Sequence, residues 1–309
     1  MTIITVIAPV FLLVLAGYLA AASGVLKARD VAGLSRFVFN IALPVLLFQS
    51  LATVTLPEQL DWHFLLVYYV VVLVIYGLGM WLSRRWFATP AREQKVFGMG
   101  ASYSNLMLVG LPIISAGLGD EALLPLFLLV SVHSAILFFV TAVLIERGGV
   151  NGRSPRQIAR QTIKGLVRNP IIIGLALGGV VNLLAIPIPP ALSQALDAVS
   201  AAVLACSLIV LGGALTTYKL AGHFAEAGLI VVLKLAVQPL LVWLLVFHVL
   251  EMDPLWGAVA VMAAGMPVGI SAYIYAENYH LGTAALSTAV LLSTILTLFS
   301  QSFWLLLLT

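Results

Sequence analysis

The sequence predicts an all-α polytopic membrane protein with ten transmembrane helices, arranged as two inverted repeats of five helices each. Three observations predict this fold: the composition, the distribution of basic residues, and a motif that occurs once in each half. Of 309 residues, 62% are hydrophobic and 9% are charged, whereas a soluble domain has about 25% charged residues. Apolar runs of about 20 residues recur along the chain, which is the pattern of membrane-spanning helices.

The apolar runs divide the chain into two halves joined by one longer polar segment. The first repeat is predicted at 1–145, the linker at 146–169 and the second repeat at 170–309. Because five is an odd number, the second repeat must enter the membrane with the opposite orientation. The ten predicted spans are 3–22, 33–52, 62–83, 95–115, 122–145, 170–187, 191–215, 227–250, 255–277 and 283–308.

Basic residues fall in alternate loops. Under the positive-inside rule the odd-numbered loops are cytoplasmic, so both termini face the other side of the membrane. The pI of 9.1 comes mainly from these basic loops, so it does not indicate a nucleic-acid partner. Fourteen of the fifteen Lys and Arg lie in or beside odd loops: Lys27, Arg29, Arg36, Arg84, Arg85, Arg92, Lys95, Arg147, Arg153, Arg156, Arg160, Lys164, Arg168 and Lys219. The even loops carry acidic residues: Glu58, Asp61, Asp120, Glu121, Glu251 and Asp253.

The linker is also predicted to contain a short surface helix. Ile158, Ile163 and Leu166 are spaced so that they share one helix face.

A Gly-x-Pro motif occurs in the fourth and the ninth predicted span, as Gly110-Leu111-Pro112 and Gly265-Met266-Pro267. Proline inside a helix costs about 3 kcal/mol, and a helix break in a membrane is tolerated only where protein or a wet cavity surrounds it. Breaks at equivalent positions of two inverted repeats indicate a transporter binding site, where the N-termini of the half-helices attract an anion. The alternative is that both prolines are ordinary kinks.

Four segments resemble the auxin efflux carrier family. They are "FNIALPVLLFQSL" in the second span, "NLMLVGLP" in the fourth, "LKLAVQPLL" in the eighth and "MPVGISAYIYAENY" in the ninth. The second-span segment carries an Asn-x-x-x-Pro signature with Asn40 and Pro44. The resemblance extends over most of the chain.

This resemblance implies a secondary transporter that works by alternating access. Spans 1, 2, 6 and 7 would form a scaffold, and spans 3–5 and 8–10 a transport domain in which the broken fourth and ninth spans cross. The expected substrate is a small organic anion, a carboxylate such as a malonate-like acid or indole acetate. The expected location is the plasma membrane of a bacterium, its inner membrane, with a homodimer formed through the scaffold. No cofactor or metal is expected.

The candidate binding residues centre on the two motifs. Asn105 either donates to a substrate carboxylate or satisfies carbonyls that the break frees, and Ser271 either contacts substrate or bonds to its own helix. The central set is Asn105, Gly110, Pro112, Gly265, Pro267 and Ser271.

Two further groups are candidates for the same site. The second span contributes Asn40, Pro44, Gln49 and Ser50, for which helix packing is the alternative role. In the fifth span His133 and Ser134 lie at the expected depth of the substrate. His133 either carries a proton during coupling or is a neutral structural histidine.

Two charged residues lie within predicted spans. Lys234 balances an anion, pairs with Asp197, or extends to the cytoplasmic interface. Asp197 is a proton-relay candidate or an interfacial residue. These alternatives remain open at the level of sequence.

An enzyme and a channel are the rival classes. The sequence "GLGD" ending at Asp120 matches an intramembrane aspartyl protease motif, which needs a second aspartate close by, and Asp197 lacks the expected sequence around it. An anion channel also uses polar broken helices, but the predicted inverted repeat and the absence of a charged ring favour a carrier.

The charge distribution predicts that residue 309 is reached from outside the cytoplasm. Because Cys206 is the single cysteine, a Cys206→Ala background allows site-directed labelling. A cysteine at position 309 should react with an impermeant maleimide added to intact cells. Reaction only after the cells are opened would contradict the predicted orientation.

Overall fold

The computed structural model describes residues 3–55, 62–146, 154–218 and 222–309, with side chains from residue 8 onward. Within these residues the regular structure consists of helices and one isolated β-bridge, between Ser104 and Val268. The predicted loop residues Glu58, Asp61, Arg147, Arg153 and Lys219 lie outside this part of the chain.

Thirteen helices, some containing π-helical turns, follow one another along the described residues. In the first half they are α1 (Ile3–Ala22), α2 (Ala28–Thr53), α3 (Trp62–Phe87), α4 (Ala91–Ser102), α5 (Leu106–Leu118), α6 (Leu123–Glu146) and α7 (Pro155–Val167). In the second half they are α8 (Pro170–Leu183), α9 (Pro190–Leu215), α10 (Phe224–Val249), α11 (Pro254–Ala264), α12 (Ile270–Tyr279) and α13 (Thr283–Leu308).

Several of these helices are long and apolar enough to cross a membrane. Among the described residues six helices meet this criterion, or seven if the bent pair of α7 and α8 forms one span. The part of α1 from Ala8 to Ala22, α5 and α11 are shorter apolar helices. The predicted all-helical polytopic membrane protein is therefore confirmed. The count of ten spans and the inverted repeat remain predictions.

The chain divides into two compact units, each made of two or more separate stretches. The larger unit contains Asp61–Arg160 and Tyr218–Thr309, together with Met1–Ile7, and includes α3 to α6 and α10 to α13. The smaller unit contains Ala8–Leu60 and Gln161–Thr217, and includes α2, α8, α9 and most of α1.

In the smaller unit, glycines allow two helices to pack with their backbones in contact. Gly174 and Gly178 of α8 form a Gly-x-x-x-Gly pair that faces α2. A Cβ at Gly174 would overlap the backbone carbonyl of Pro44, and a Cβ at Gly178 would overlap that of Phe48. Small residues at this spacing are typical of close helix packing in membranes. Pro44, a predicted site residue, therefore also lies at a helix–helix contact.

Three prolines inside helices each follow a π-helical turn. Proline has no N–H, and its ring collides with the carbonyl one turn earlier. A π-turn widens the helix locally, and such turns often occur at functional sites. These three π-turns are Val38–Ala42 before Pro44, Leu106–Gly110 before Pro112, and Leu233–Val237 before Pro239. A further π-turn, Leu244–Val249, ends α10 and has no proline after it within the helix.

The predicted surface helix in the linker is present as α7, but the expected apolar face is wrong. Ile158 is buried with 5% of its surface exposed, whereas Ile163 is 60% exposed. At about 100° per residue, the two side chains point in directions about 140° apart, so one surface cannot cover both.

The contact between α2 and α8 predicts a specific sensitivity to side-chain size. Gly174→Ala should lower the free energy of unfolding by about 1–3 kcal/mol, because the new methyl group meets backbone atoms that cannot move independently. Thermal unfolding in detergent measures this. Gly33→Ala in α2 is the control, since a Cβ there meets nothing within 4 Å. Equal unfolding temperatures for the two variants would contradict the close contact.

Candidate functional site

Two helix interruptions lie close together in the larger unit. Helix α4 ends at Ser102 and α5 begins at Leu106, while α11 ends at Ala264 and α12 begins at Ile270. The N–H groups of Tyr103 and Gly265 still donate to the last turn of the preceding helix, to the carbonyls of Met99 and Val261. Most of the other backbone groups at 103–105 and 265–269 must be satisfied outside a helix.

The two interruptions satisfy each other by antiparallel pairing. The Asn105 N–H donates to the Pro267 carbonyl at 2.9 Å, and the Gly269 N–H donates to the Tyr103 carbonyl at 3.0 Å. Gly269 is required here because a Cβ would overlap the Tyr103 ring. Lipid offers no hydrogen bonds, so this pairing explains how two apolar helices can both be interrupted inside one unit.

The middle residue of each paired segment, 103–105 and 267–269, is held by a side chain of the next long helix along the chain. The Ser104 N–H donates to His133 Nε2 of α6 at 3.0 Å. The Val268 N–H donates to Ser293 Oγ of α13, also at 3.0 Å. The two interruptions are therefore stabilised in the same way, by α6 in one half of the chain and α13 in the other.

This contact defines the protonation state of His133 in the structure. A backbone N–H can only donate, so Nε2 has no proton and the neutral ring carries its proton on Nδ1. Protonation of Nε2 would break the hydrogen bond to Ser104. The arrangement supports the structural alternative for His133 over the role of a proton carrier.

Hydroxyl groups and aromatic rings surround this histidine. The Tyr103 ring packs edge-on against His133 with centroids 4.8 Å apart, and its hydroxyl lies 2.5 Å from Ser134 Oγ. The Tyr103 hydroxyl also interacts with Ser271. The structure thus brings together four predicted site residues, Ser134, Ser271, His133 and Asn105, around Tyr103 and its neighbours.

The position of the first interruption differs from the prediction. Gly110 and Pro112 are buried inside the helical segment Leu106–Leu118, and the interruption precedes them at 103–105. The π-turn before Pro112 accommodates the proline without ending the helix. Pro267 does lie in an interruption, and Gly265 follows the last residue of α11. The two Gly-x-Pro motifs therefore do not occupy equivalent positions.

Two buried donors at the interruption have no hydrogen-bond partner within the described residues. Asn105 Oδ1 accepts from the Leu108 N–H at 3.3 Å and caps the first turn of α5, which leaves Nδ2 unpaired. The other donor is His133 Nδ1. Buried polar groups without partners are costly, and the N-termini of α5 and α12 add partial positive charge. This surplus of donors suits an acceptor such as a carboxylate.

Lys234 lies in a π-turn of α10 and is completely buried. Its ammonium donates to Gln238 Oε1 at 3.0 Å and to the carbonyl of Ala264, the last residue of α11. Gln301 Nε2 donates to the Met262 carbonyl in the same last turn at 3.2 Å. Lys234 therefore caps the C-terminal, negative end of α11 and does not extend to the interface.

The other predicted residues lie in the smaller unit. Gln49 Nε2 donates to the Asp197 carboxylate, and Ser200 Oγ donates to Gln49 Oε1 at 2.9 Å. Asn40 is exposed, and Pro44 and Ser50 are half-buried. The substrate-binding role of this group and the pairing of Asp197 with Lys234 stay predictions.

The sequence analysis did not identify several residues that form or stabilise the interruptions. Tyr103 and Ser104 precede Asn105 as a polar run within an apolar span, a signal that could have located the break. Ser293 gives no comparable signal, because hydroxyl residues are common along α13.

Among the described residues no group of three or more His, Cys, Asp or Glu is placed to hold a metal ion. Asp120 of the protease-like motif lies at an exposed turn and accepts a hydrogen bond from Ser115.

The protein has many apolar helices, and two of its helix interruptions surround buried polar groups. This architecture is typical of membrane transport proteins. Comparison with known proteins identifies it further. The family described as "Membrane transport protein" matches residues 2–305, and the chain belongs to this family. The expected relationship to the auxin efflux carriers is thereby confirmed.

Two relatives match over nearly their whole length. A protein of Rhizobium meliloti named "Putative malonate transporter" is 26% identical over 292 residues, which cover 93% of this chain and 90% of the relative. An "Uncharacterized transporter" of Methanothermobacter thermautotrophicus is 28% identical over 303 residues, which cover 96% of this chain and 95% of the relative.

The two side-chain acceptors predict a measurable cost when either is removed. Ser293→Ala leaves the Val268 N–H buried and unpaired, which should lower the free energy of unfolding by about 1–3 kcal/mol. Ser302→Ala, on the same helix, is the control because Ser302 Oγ only bonds to Leu298 of its own helix. Thermal unfolding measures both variants. If Ser293→Ala is as stable as the control variant, Ser293 does not support the interruption.

Proposed function

We propose that the protein is a secondary transporter that moves a small organic anion, a carboxylate, across the membrane by alternating access. The proposed substrate site lies at the paired interruptions, beside Asn105 and Ser271, with Gly110, Pro112, Gly265 and Pro267 shaping the helices around it. The single observation that carries this proposal is the surplus of buried donors at the interruptions, Asn105 Nδ2 at the start of α5 and His133 Nδ1 beside Ser104.

The chemistry of these donors supports an anion. A carboxylate accepts several hydrogen bonds at once, and hydrogen bonds to a charged group are worth about 1.5–3 kcal/mol each. Two helix N-termini provide partial positive charge without adding a mobile cation. The printed name of the Rhizobium relative supports malonate as the first substrate to test.

Several contacts support ten spans in two inverted repeats. The interruption between α4 and α5 and the one between α11 and α12 would belong to the fourth and ninth spans. Each is paired with the other and held by the following long helix, α6 or α13. The larger unit contains both, which supports grouping spans 3–5 and 8–10 as the transport domain, with spans 1, 2, 6 and 7 as the scaffold.

The proposed setting is the inner membrane of a bacterium, with both termini outside the cytoplasm and a homodimer formed through the scaffold helices. The basic odd loops support the orientation. The homodimer follows from the family resemblance, and the mass of the purified protein in detergent tests it.

An anion channel is the second candidate, because interrupted polar helices also line pores. Purified protein in liposomes separates the two. A transporter gives saturable uptake and counterflow of labelled malonate, whereas a channel gives ohmic currents that do not saturate.

The Asn105 amide provides the sharpest test of the site. Asn105→Ser keeps a side-chain oxygen that can cap α5 but removes the amide donor. It should weaken malonate binding roughly tenfold to a hundredfold, with little change in thermal stability. Isothermal titration measures binding, proteoliposome uptake measures transport, and thermal unfolding in detergent measures stability.

Asn278→Ser is the matched control, since Asn278 is exposed on α12. It should bind malonate like the wild type. Wild-type binding and transport by Asn105→Ser would place the substrate elsewhere. A large loss of stability in Asn105→Ser would assign Asn105 to capping alone.

A further inference from the structure

The helix α7 carries a basic and apolar surface that the transport function does not use. Arg156, Arg160 and Lys164 follow one another at intervals of four residues, and Arg168 continues the series just after the helix. All four are exposed. The segment 154–169 contains no acidic residue that could neutralise them within the helix.

Large apolar side chains lie on the same side of the helix as the basic ones. Ile163 is 60% exposed and Val167 is 67% exposed. At about 100° per residue, Ile163, Val167, Arg156, Arg160 and Lys164 fall within a sector about 100° wide. The buried residue Ile158 points to the opposite side. The side directed away from the protein is therefore both apolar and positively charged.

The direction of α7 fits a helix that lies along a membrane surface. Helices α7 and α8 are bent by 62° relative to each other. If the apolar helix α8 stands close to the membrane normal, α7 lies roughly 30° from the membrane plane. Ile163 and Val167 can then enter the boundary of the acyl chains, while the basic side chains reach the headgroups.

We propose that α7 is an interfacial helix that binds anionic phospholipid headgroups through Arg156, Arg160, Lys164 and Arg168, with Ile163 and Val167 inserted beside them. Exposing isoleucine and valine to water is unfavourable, and a neutral lipid surface offers no negative charge to the basic side chains. An anionic bilayer can bury the apolar side chains and also bind the basic ones. In the proposed topology this helix is cytoplasmic, on the side where anionic lipids attract basic segments.

A fluorescent label on the helix tests this in the whole protein. In a Cys206→Ala background, bimane is attached at Val167→Cys, and the detergent-purified protein is titrated with phosphatidylglycerol or phosphatidylcholine. The label should become shielded from an aqueous quencher with phosphatidylglycerol at far lower concentration than with phosphatidylcholine. A label at Gly165→Cys, on the opposite side of the helix, should stay accessible; a Cβ there meets nothing within 4 Å.

Charge removal provides the second arm. Arg160→Gln with Lys164→Gln should raise the half-saturating phosphatidylglycerol concentration roughly 25-fold, which is about fivefold for each of the two charges removed. Arg84→Gln with Arg85→Gln loses the same net charge at the exposed end of α3 and should leave the α7 titration near the wild type.

Three results would overturn the proposal. The first is an equal response to both lipids, and the second is an unchanged titration after Arg160 and Lys164 are neutralised. The third is a Val167 label that is already shielded from the quencher in detergent before lipid is added, because the helix is then covered without any anionic lipid. Equal thermal unfolding of both double variants and the wild type in detergent shows that the comparison is between folded proteins.

Discussion

The antiparallel pairing of residues 103–105 with 267–269 is the contact on which the centre of the larger unit depends. Backbone groups in an apolar environment must be paired, and two interrupted helices would each leave several unpaired at the break. The pairing satisfies the outer groups, and His133 and Ser293 satisfy the central N–H groups. Because each partner lies on a different helix, the interruption is stable only within the assembled unit.

Three prolines show how the same constraint is met inside a continuous helix. Pro44, Pro112 and Pro239 each follow a π-turn, so the helix loses a hydrogen bond without ending. Two of these turns contain candidate residues, Asn40 and Lys234, and Asn105 precedes the third. The wider turn changes the direction in which these side chains point. A proline within an apolar helix therefore indicates a local change of helix geometry, and it does not by itself indicate that the helix ends there.

This distinction explains which parts could be predicted from sequence. Hydrophobicity depends on single residues, so the membrane class and the place of most helices followed from the apolar runs alone. The break in the fourth span was assigned to Gly110 and Pro112, although it lies at Tyr103 to Asn105. Whether a proline ends a helix depends on a π-turn and on partners distant in the chain, such as Val268 and His133. A local pattern does not contain those partners, and it likewise gave no signal for Ser293.

The two halves of the larger unit satisfy the carbonyl end of their first half-helix in different ways, and the difference bears on charge. At the end of α4 the Ser102 hydroxyl donates to the Gly98 carbonyl at 2.9 Å, a neutral contact within one helix. At the end of α11 the ammonium of Lys234 donates to Ala264, and its other acceptor, Gln238, is also neutral. A buried positive charge held by neutral groups is expensive, and a nearby negative charge offsets that cost. Lys234 is paired with these neutral acceptors at the end of α11, so its contacts are separate from the unpaired donors of Asn105 and His133. The anion proposed above would lower the cost of burying such an ammonium in the same unit.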